Sequence, residues 1–178
     1  NMRVLVPADY WAAKAALRLA AKTPGPVYVR LGRHKVPLVY DETFVGGLPF
    51  AGVVREGTDV TIAAAGVEVS QALAAADLLE QDGISAEVLD IFSVKPLDEE
   101  TILASASKTG HVVTCEEHSV YGGVGSAIAE LLGEKLPVPC HRVGMKTFGT
   151  SANGDVLLHH FGLDGEGIAQ EVKKALGR

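Results

Sequence analysis

The 178-residue chain is short of several things that would assign it to a class at once. It has two cysteines, Cys115 and Cys140, each inside a strand-like run and without the paired spacing of a zinc site. They read as two buried, reduced thiols of a cytoplasmic protein. No run of lysine or arginine forms a basic stripe, and the net charge is -6, which argues against a nucleic-acid partner. No stretch approaches the roughly 20 apolar residues of a membrane span. The opening "NMRVLVPAD" ends its apolar run at Pro7 and Asp9 without a small-residue cleavage site, so it reads as a strand rather than a signal peptide. Internal repeats, low-complexity tracts, a G-x-G-x-x-G fingerprint and a P-loop are all missing.

What is present is an ordinary soluble composition, 47% hydrophobic and 21% charged, on a chain long enough to bury a sizeable core. "RVLVPAD" is a nearly continuous apolar run, as in a strand covered on both faces. Asp9 is placed to cap the helix "YWAAKAALRLAAK", which "TPGP" stops. "VYVRL" is a second strand, so residues 3–31 predict a right-handed parallel crossover. One such unit cannot complete a sheet. Its remaining strands are expected to come from missing sequence or from another chain. Residues 33–50 have no period, two prolines and two adjacent glycines, and read as a long connector.

From residue 51 the pattern alternates. "AGVVREG" and "DVTIAAAG" predict an edge strand paired with a buried strand through a Gly-Thr-Asp turn. A helix closed by Gly83, the strand "SAEVLDIF", the helix "DEETILASASKTG", the strand "HVVTCEEH", the helix "GVGSAIAELLGEK" and the strand "VPCHRVGM" follow. Two helices, "DVLLHHFG" and "DGEGIAQEVKKALGR", finish the chain. The alternation predicts an α/β fold with three layers, α/β/α, around a mostly parallel sheet.

Ligands of such sheets bind where strands run out into helices. "EEHSVYGGVGSA", residues 116–127, lies at such a point, and three readings of it compete. Glu116, Glu117 and His118 could form an acid/base centre, but neighbours in a strand face opposite ways and no triad geometry is visible. Gly122, Gly123 and Gly125 could cradle a phosphate or another effector at a helix start, although no lysine follows. The third reading is a tight structural turn, favoured because the stretch supplies too few catalytic parts. His159 and His160 are helix neighbours and diverge by about 100°, so they do not form a metal-chelating pair.

Taken together, "VLVPADYWAAKAALRLA", "GPVYVRLGRHKVP", "DVTIAAAGVEVSQALAAADLLEQDGISAEVLDIFSVKPLD" and "VVTCEEHSVYGGVGSAIAELL" resemble the C-terminal section of transketolase. The nearest likeness is to the separate C-terminal subunit of split transketolases. Deoxyxylulose-phosphate synthase and the beta subunits of 2-oxoacid dehydrogenases are related alternatives. The resemblance implies that residues 1–33 end a pyrimidine-binding domain, that 34–50 connect, and that 51–178 form the transketolase C-terminal domain. It implies transfer of a two-carbon ketol unit between sugar phosphates, as in the pentose phosphate pathway, with thiamine diphosphate and magnesium held by parts outside this chain. It implies a homodimer, an N-terminal transketolase section as partner, and no activity of this chain alone. In the resemblance "GRHKVP" matches a stretch whose arginine binds the substrate phosphate, which makes Arg33 that residue. Arg30, inside the strand, and His34, on a solvated loop, are weaker candidates. Asp9 falls in the family's "PAD" stretch and is read as a cap and interface residue. Many relatives carry an acid where Ala12 stands here. "EEHSVYGGVGSA" becomes a turn and packing element. A different class of reading remains beside this one, a non-catalytic dimerisation or regulatory module.

Overall fold

The computed structural model describes residues 1–33 and 35–178. In chain order the elements are β1 (Arg3–Leu5), α1 (Tyr10–Lys22), β2 (Val27–Val29), β3 (Gly52–Arg55), β4 (Val60–Ala64), α2 (Glu68–Gln81) and β5 (Ala86–Asp90). They continue with β6 (Ser93–Lys95), α3 (Glu99–Thr109), β7 (Val112–Ser119), α4 (Val124–Lys135), β8 (Cys140–Met145), α5 (Gly154–Phe161) and α6 (Gly165–Ala175).

Two sheets result. The larger has the order β3-β5-β4-β7-β8, with every pair parallel except β3 with β5. The central strand β4 shows why the layers form. Val60, Ile62 and Ala64 point to one face and Ala63 and Ala65 to the other, as the two-residue period of a strand requires. The first face is covered by α2 and α6 through Val69, Ala72, Ala76, Ile168 and Val172. The second is covered by α3 and α4 through Ile102, Ala106, Ile128 and Leu132. Alanine-rich helix faces let α2 lie close on the sheet. Thr61 would be a polar fault on the α3 face, but its hydroxyl is within 2.7 Å of Ser105 Oγ and 2.8 Å of Thr109 Oγ1. The predicted three-layer α/β/α architecture is therefore present.

The smaller sheet has the order β2-β1-β6. The predicted crossover of β1, α1 and β2 is there, with β1 parallel to β2. Asp9 caps α1, its Oδ1 accepting from the Ala12 amide at 2.8 Å. The neighbour of β1 on its other side is β6, antiparallel and drawn from after residue 90 of the same chain. Sequence reading ended the strand "SAEVLDIF" at Phe92. The chain instead leaves the large sheet at Asp90, turns through Ile91 and Phe92, and enters the small one. Phe92 is wholly buried at that transfer, against Leu5, Ala12 and Ala16. Burying such a ring contributes about 2 kcal/mol.

Two expectations are corrected. The strands in "AGVVREG" and "DVTIAAAG" do not pair with each other. β3 lies against β5, because β4 already has β5 and β7 as neighbours. The Gly-Thr-Asp turn is bound to the start of β5: the amides of Thr58 and Asp59 both donate to the Ser85 carbonyl, at 3.1 and 2.8 Å. Gly57 is pressed so close to the Ala86–Glu87 backbone that a Cβ there would overlap it. The second correction concerns the thiols. Both are free, but only Cys115 is buried, whereas Cys140 on the edge strand β8 is half-buried.

Residues 35–50 contain no helix or strand, yet they are fastened down. Asp9 Oδ2 accepts from the amides of Val39 and Tyr40 at 2.8 and 2.9 Å. Tyr40 stacks on Phe44 with ring centroids 3.8 Å apart, and Phe44 and Phe50 meet Phe92 edge-on. One buried carboxylate thus caps a helix and anchors the connector.

Candidate functional site

The carboxyl ends of β1, β2, β4 and β7 converge where the two sheets meet. β2 runs out at Val29, and the Arg30 amide makes one more sheet-like bond, to the Leu5 carbonyl at 2.9 Å. Beyond it Leu31, Gly32, Arg33 and Lys35 are exposed. Arg33 projects from this loop and, among the described residues, enters no ion pair. His34 lies outside the described residues. Arg30 is already engaged, its Nη1 donating to Glu117 Oε1 of β7 at 2.6 Å.

Two hollows are lined by this loop, and a third lies beside Arg30 at its root. A cleft of about 420 Å³ is lined by Pro7, Asp9, Tyr10, Gly32, Lys35 and Val67. An apolar groove of about 370 Å³ adjoins it, sharing Lys35, Val36 and Val67 and adding Gln71, Glu117 and Phe161. A third hollow, of about 650 Å³, opens on the other side of the Arg30–Glu117 pair, with Lys95, His118 and Gly123 in its wall. Asp9 reaches the first cleft with its carboxylate already accepting from three amides. Lys35 is the cation that two of the hollows share. Sequence reading missed it because a lysine in a loop carries no signal by itself.

The stretch 116–127 resolves into a packing arrangement. Glu116 and His118 point to one face of β7, with Nδ1 of His118 3.4 Å from Oε2 of Glu116, and Glu117 points to the other. Glu116 Oε1 accepts from the Gly125 amide at 3.3 Å, so its carboxyl occupies the start of α4 where a phosphate would have to sit. The glycines make room for it. A Cβ on Gly123 would overlap the Glu116 carboxyl and crowd the His118 ring, and one on Gly125 would meet Thr114 and Glu116. Gly122 is there for its backbone, with φ of 75°. Burial pushes the Glu116 carboxyl above its ordinary pKa, while His118 and the Gly125 amide pull it back.

The structure does not bring the other sequence candidates to this place. His159 pairs with Asp164 at 2.7 Å on the surface, and that bond raises its pKa. His160 packs edge-on against Phe161. Among the described residues no group of three or more His, Cys, Asp or Glu side chains stands close enough to hold a metal ion. With the start of α4 filled by Glu116, the β7–α4 turn offers no open helix N-terminus to a diphosphate.

One residue that sequence reading overlooked is Glu68, the first residue of α2. An acid in a first turn ordinarily stays solvated and suits the helix dipole. Glu68 is instead wholly buried, and among the described residues neither carboxyl oxygen has a hydrogen-bond partner. Burial, and then the charges of Glu117 and Asp164, push its pKa up to about 8. The linear signal was its place two residues after the buried run "TIAAAG", just past the carboxyl end of the central strand.

The fold and this convergence of strand ends define a three-layer α/β domain with a mostly parallel sheet, and comparison with known proteins narrows the class. Residues 51–168 match the family model described as "Transketolase, C-terminal domain". The chain belongs to that family. It is 45% identical over 179 residues to the 6-deoxy-6-sulfo-D-fructose transketolase subunit SqwH of a Clostridium species, covering 100% of this chain and 56% of the relative. It is 40% identical over 172 residues to one of the subunits of apulose-4-phosphate transketolase from Phocaeicola vulgatus, covering 96% and 55%. A solved structure described as a split gene transketolase, inactive beta4 tetramer, superposes with a TM-score of 0.96 at 45% identity, over 99% of this chain and 58% of that one. A transketolase from Pichia stipitis shares the fold with a TM-score of 0.80 at 23% identity, over 99% of this chain and 25% of that one. The chain thus spans little more than half the length of the split-transketolase subunits it matches.

Proposed function

We propose that this chain is the C-terminal section of a thiamine diphosphate-dependent transketolase that moves a two-carbon ketol unit between sugar phosphates. Residues 1–33 would end its pyrimidine-binding domain, residues 34–50 connect, and residues 51–178 form the C-terminal domain. The observation that carries the reading is the β2 exit loop. Arg33 stands exposed beyond the carboxyl end of a strand, next in the chain to Gly32, which lines a cleft together with Lys35. A guanidinium forks onto phosphate oxygens, and a nearby ammonium adds a second positive charge. Both relatives are named for ketoses that end in an anionic group, one a sulfonate and one a phosphate. A loop presenting two cations suits such a terminus.

The cofactor belongs to the rest of the enzyme. When bound there it supplies the carbanion chemistry of ketol transfer. This chain's part is to bind the far end of the sugar, to exclude water through the packed junction of its two sheets, and to supply dimer contacts. Its partners are an N-terminal transketolase section and a second copy of itself. Alone it is inactive, in keeping with the relative described as an inactive tetramer.

The test is reconstitution. Ketol transfer from xylulose 5-phosphate is measured with this chain alone and with the complete enzyme, each with thiamine diphosphate and magnesium. Transfer only by the complete enzyme, with no tight cofactor binding to the isolated chain by calorimetry, is expected. Tight magnesium-dependent binding to the isolated chain, or no transfer by the complete enzyme, would overturn the proposal.

A further inference from the structure

We infer that Glu117 is a positioning residue for the phosphate site. Through Arg30 it holds the end of β2 and so sets where Arg33 stands. This rests on the reading of Arg33 as the phosphate-binding arginine, and goes beyond it by giving the C-terminal domain a direct hand in substrate recognition.

β2 is weakly held by its own sheet. It is three residues long, lies at the sheet edge, and pairs only with β1. Its last backbone bond is that of the Arg30 amide to Leu5. After it come Leu31 and Gly32, both exposed, and then Arg33, at most about 10 Å of chain from Arg30, with one ion-paired side chain at its root. That side chain is Arg30, and what it grips is on the other sheet.

The grip is firm because Glu117 sits on a fixed base. β7 is paired with both β4 and β8 as far as Cys115, which is wholly buried, and Glu117 follows two residues on, directly after the buried Glu116. The β7–β8 register shifts between Cys115 and Ser119. Such an irregularity re-aims side chains, and here Glu117 turns toward the small sheet while Glu116 turns under α4. The ion pair is partly sheltered, its side chains 31% and 24% exposed, so water screens it less than a surface pair. The β4–α2 turn closes in from a third side. A Cβ on Gly66 would stand 3.0 Å from Val6 Cγ1 and 3.9 Å from Arg30 Nη1. Glu117 lines both the apolar groove and the third hollow, and Arg30 lines the third, so losing the pair would open space beside the root of the loop. A phosphate site tolerates little such freedom, because a misplacement of about 1 Å weakens an oriented contact severely.

The experiment compares two donors in the complete enzyme, xylulose 5-phosphate and the phosphate-free ketose L-erythrulose. Glu117→Ala and Arg30→Ala are each expected to raise KM for the phosphorylated donor about fivefold, with kcat within about twofold and the erythrulose constants unchanged. The double variant should be no worse than either single one, because the two residues act as a unit. Glu117→Gln, which keeps an acceptor for Arg30 and removes little packing, should retain most of the affinity, and thermal unfolding of each variant reports its folding. An unchanged donor ratio in the single variants, additive losses in the double, or equal losses on both donors would overturn the inference. Arg33→Ala separates the two ideas. If it shifts the donor ratio and Glu117→Ala does not, only the positioning role falls. If Arg33→Ala leaves the ratio alone, the phosphate-arginine reading falls and this inference with it.

Discussion

The hydroxyl of Tyr40 donates to Oδ2 of Asp90 at 2.8 Å and ties the connector to the end of β5. Asp90 is wholly buried, and its other oxygen has no partner. Burial holds its pKa up at about 7, an effect that the Tyr40 bond opposes. Tyr40→Phe removes the carboxyl's one donor. The variant is expected to lose about 1–3 kcal/mol at pH 8, where the acid is charged, and less at pH 5, where it is neutral. Urea unfolding at the two pH values measures the difference.

Glu68 makes stability depend on pH in the same direction. Its folded pKa, about 8, lies above the unfolded value of 4.5, so the native state keeps a proton that the unfolded chain gives up. Stability is therefore highest below about pH 4.5 for this group and falls as pH rises toward 8. Glu68→Gln cannot ionise. It should be more stable than the parent by about 2–4 kcal/mol at pH 8 and nearly equal to it at pH 5. Parallel denaturant curves of equal offset at both pH values would show that Glu68 ionises freely.

The glycines of the β7–α4 turn should differ sharply in tolerance. At Gly123 a methyl group collides with the Glu116 carboxyl and the His118 ring, and Gly123→Ala should cost about 3 kcal/mol. At Gly122 there is open space, and only the positive φ is at stake, so Gly122→Ala should cost about 1 kcal/mol. Thermal melts of the two variants give the order directly.

Arg33→Ala in the complete enzyme should raise KM for phosphorylated donors by about 2 kcal/mol of binding, with kcat little affected. Lys35→Ala, on the same loop but a point charge without a fork, should have a smaller effect of the same kind. Steady-state kinetics on xylulose 5-phosphate decides both.

The layers, the helix caps at Asp9 and Gly83 and the crossover β1–α1–β2 were legible because each depends on local pattern: period, capping chemistry and a stop at "TPGP". The partner of β3 was not. Adjacent strands joined by a short turn usually pair, but β4 is flanked by β5 and β7, a tertiary fact that sends β3 to β5, and the turn between β3 and β4 is held against the start of β5. The change of sheets at Ile91–Phe92 was hidden for a related reason. An apolar run reads the same whether it continues one strand or leaves it. At the candidate site, the sequence motif singles out Arg33 for the proposed phosphate contact, but the Arg30–Glu117 contact spans 87 positions and no spacing rule reaches that far. Glu68 was passed over because a helix start is solvated in most folds and buried here.

The antiparallel bond of β6 to β1 has a consequence for where this protein can be cut. The sequence boundary near residue 51 is not a mechanical seam, because the strand that completes the small sheet comes from beyond it. A protease that nicks the 35–50 connector would leave two pieces still stitched together through β1, β6 and the Phe92 cluster. A polypeptide begun at residue 51 would carry β6 as a raw edge, open to strand exchange with its neighbours. The two halves share one hydrogen-bonded sheet and one buried aromatic cluster, so neither is closed without the other.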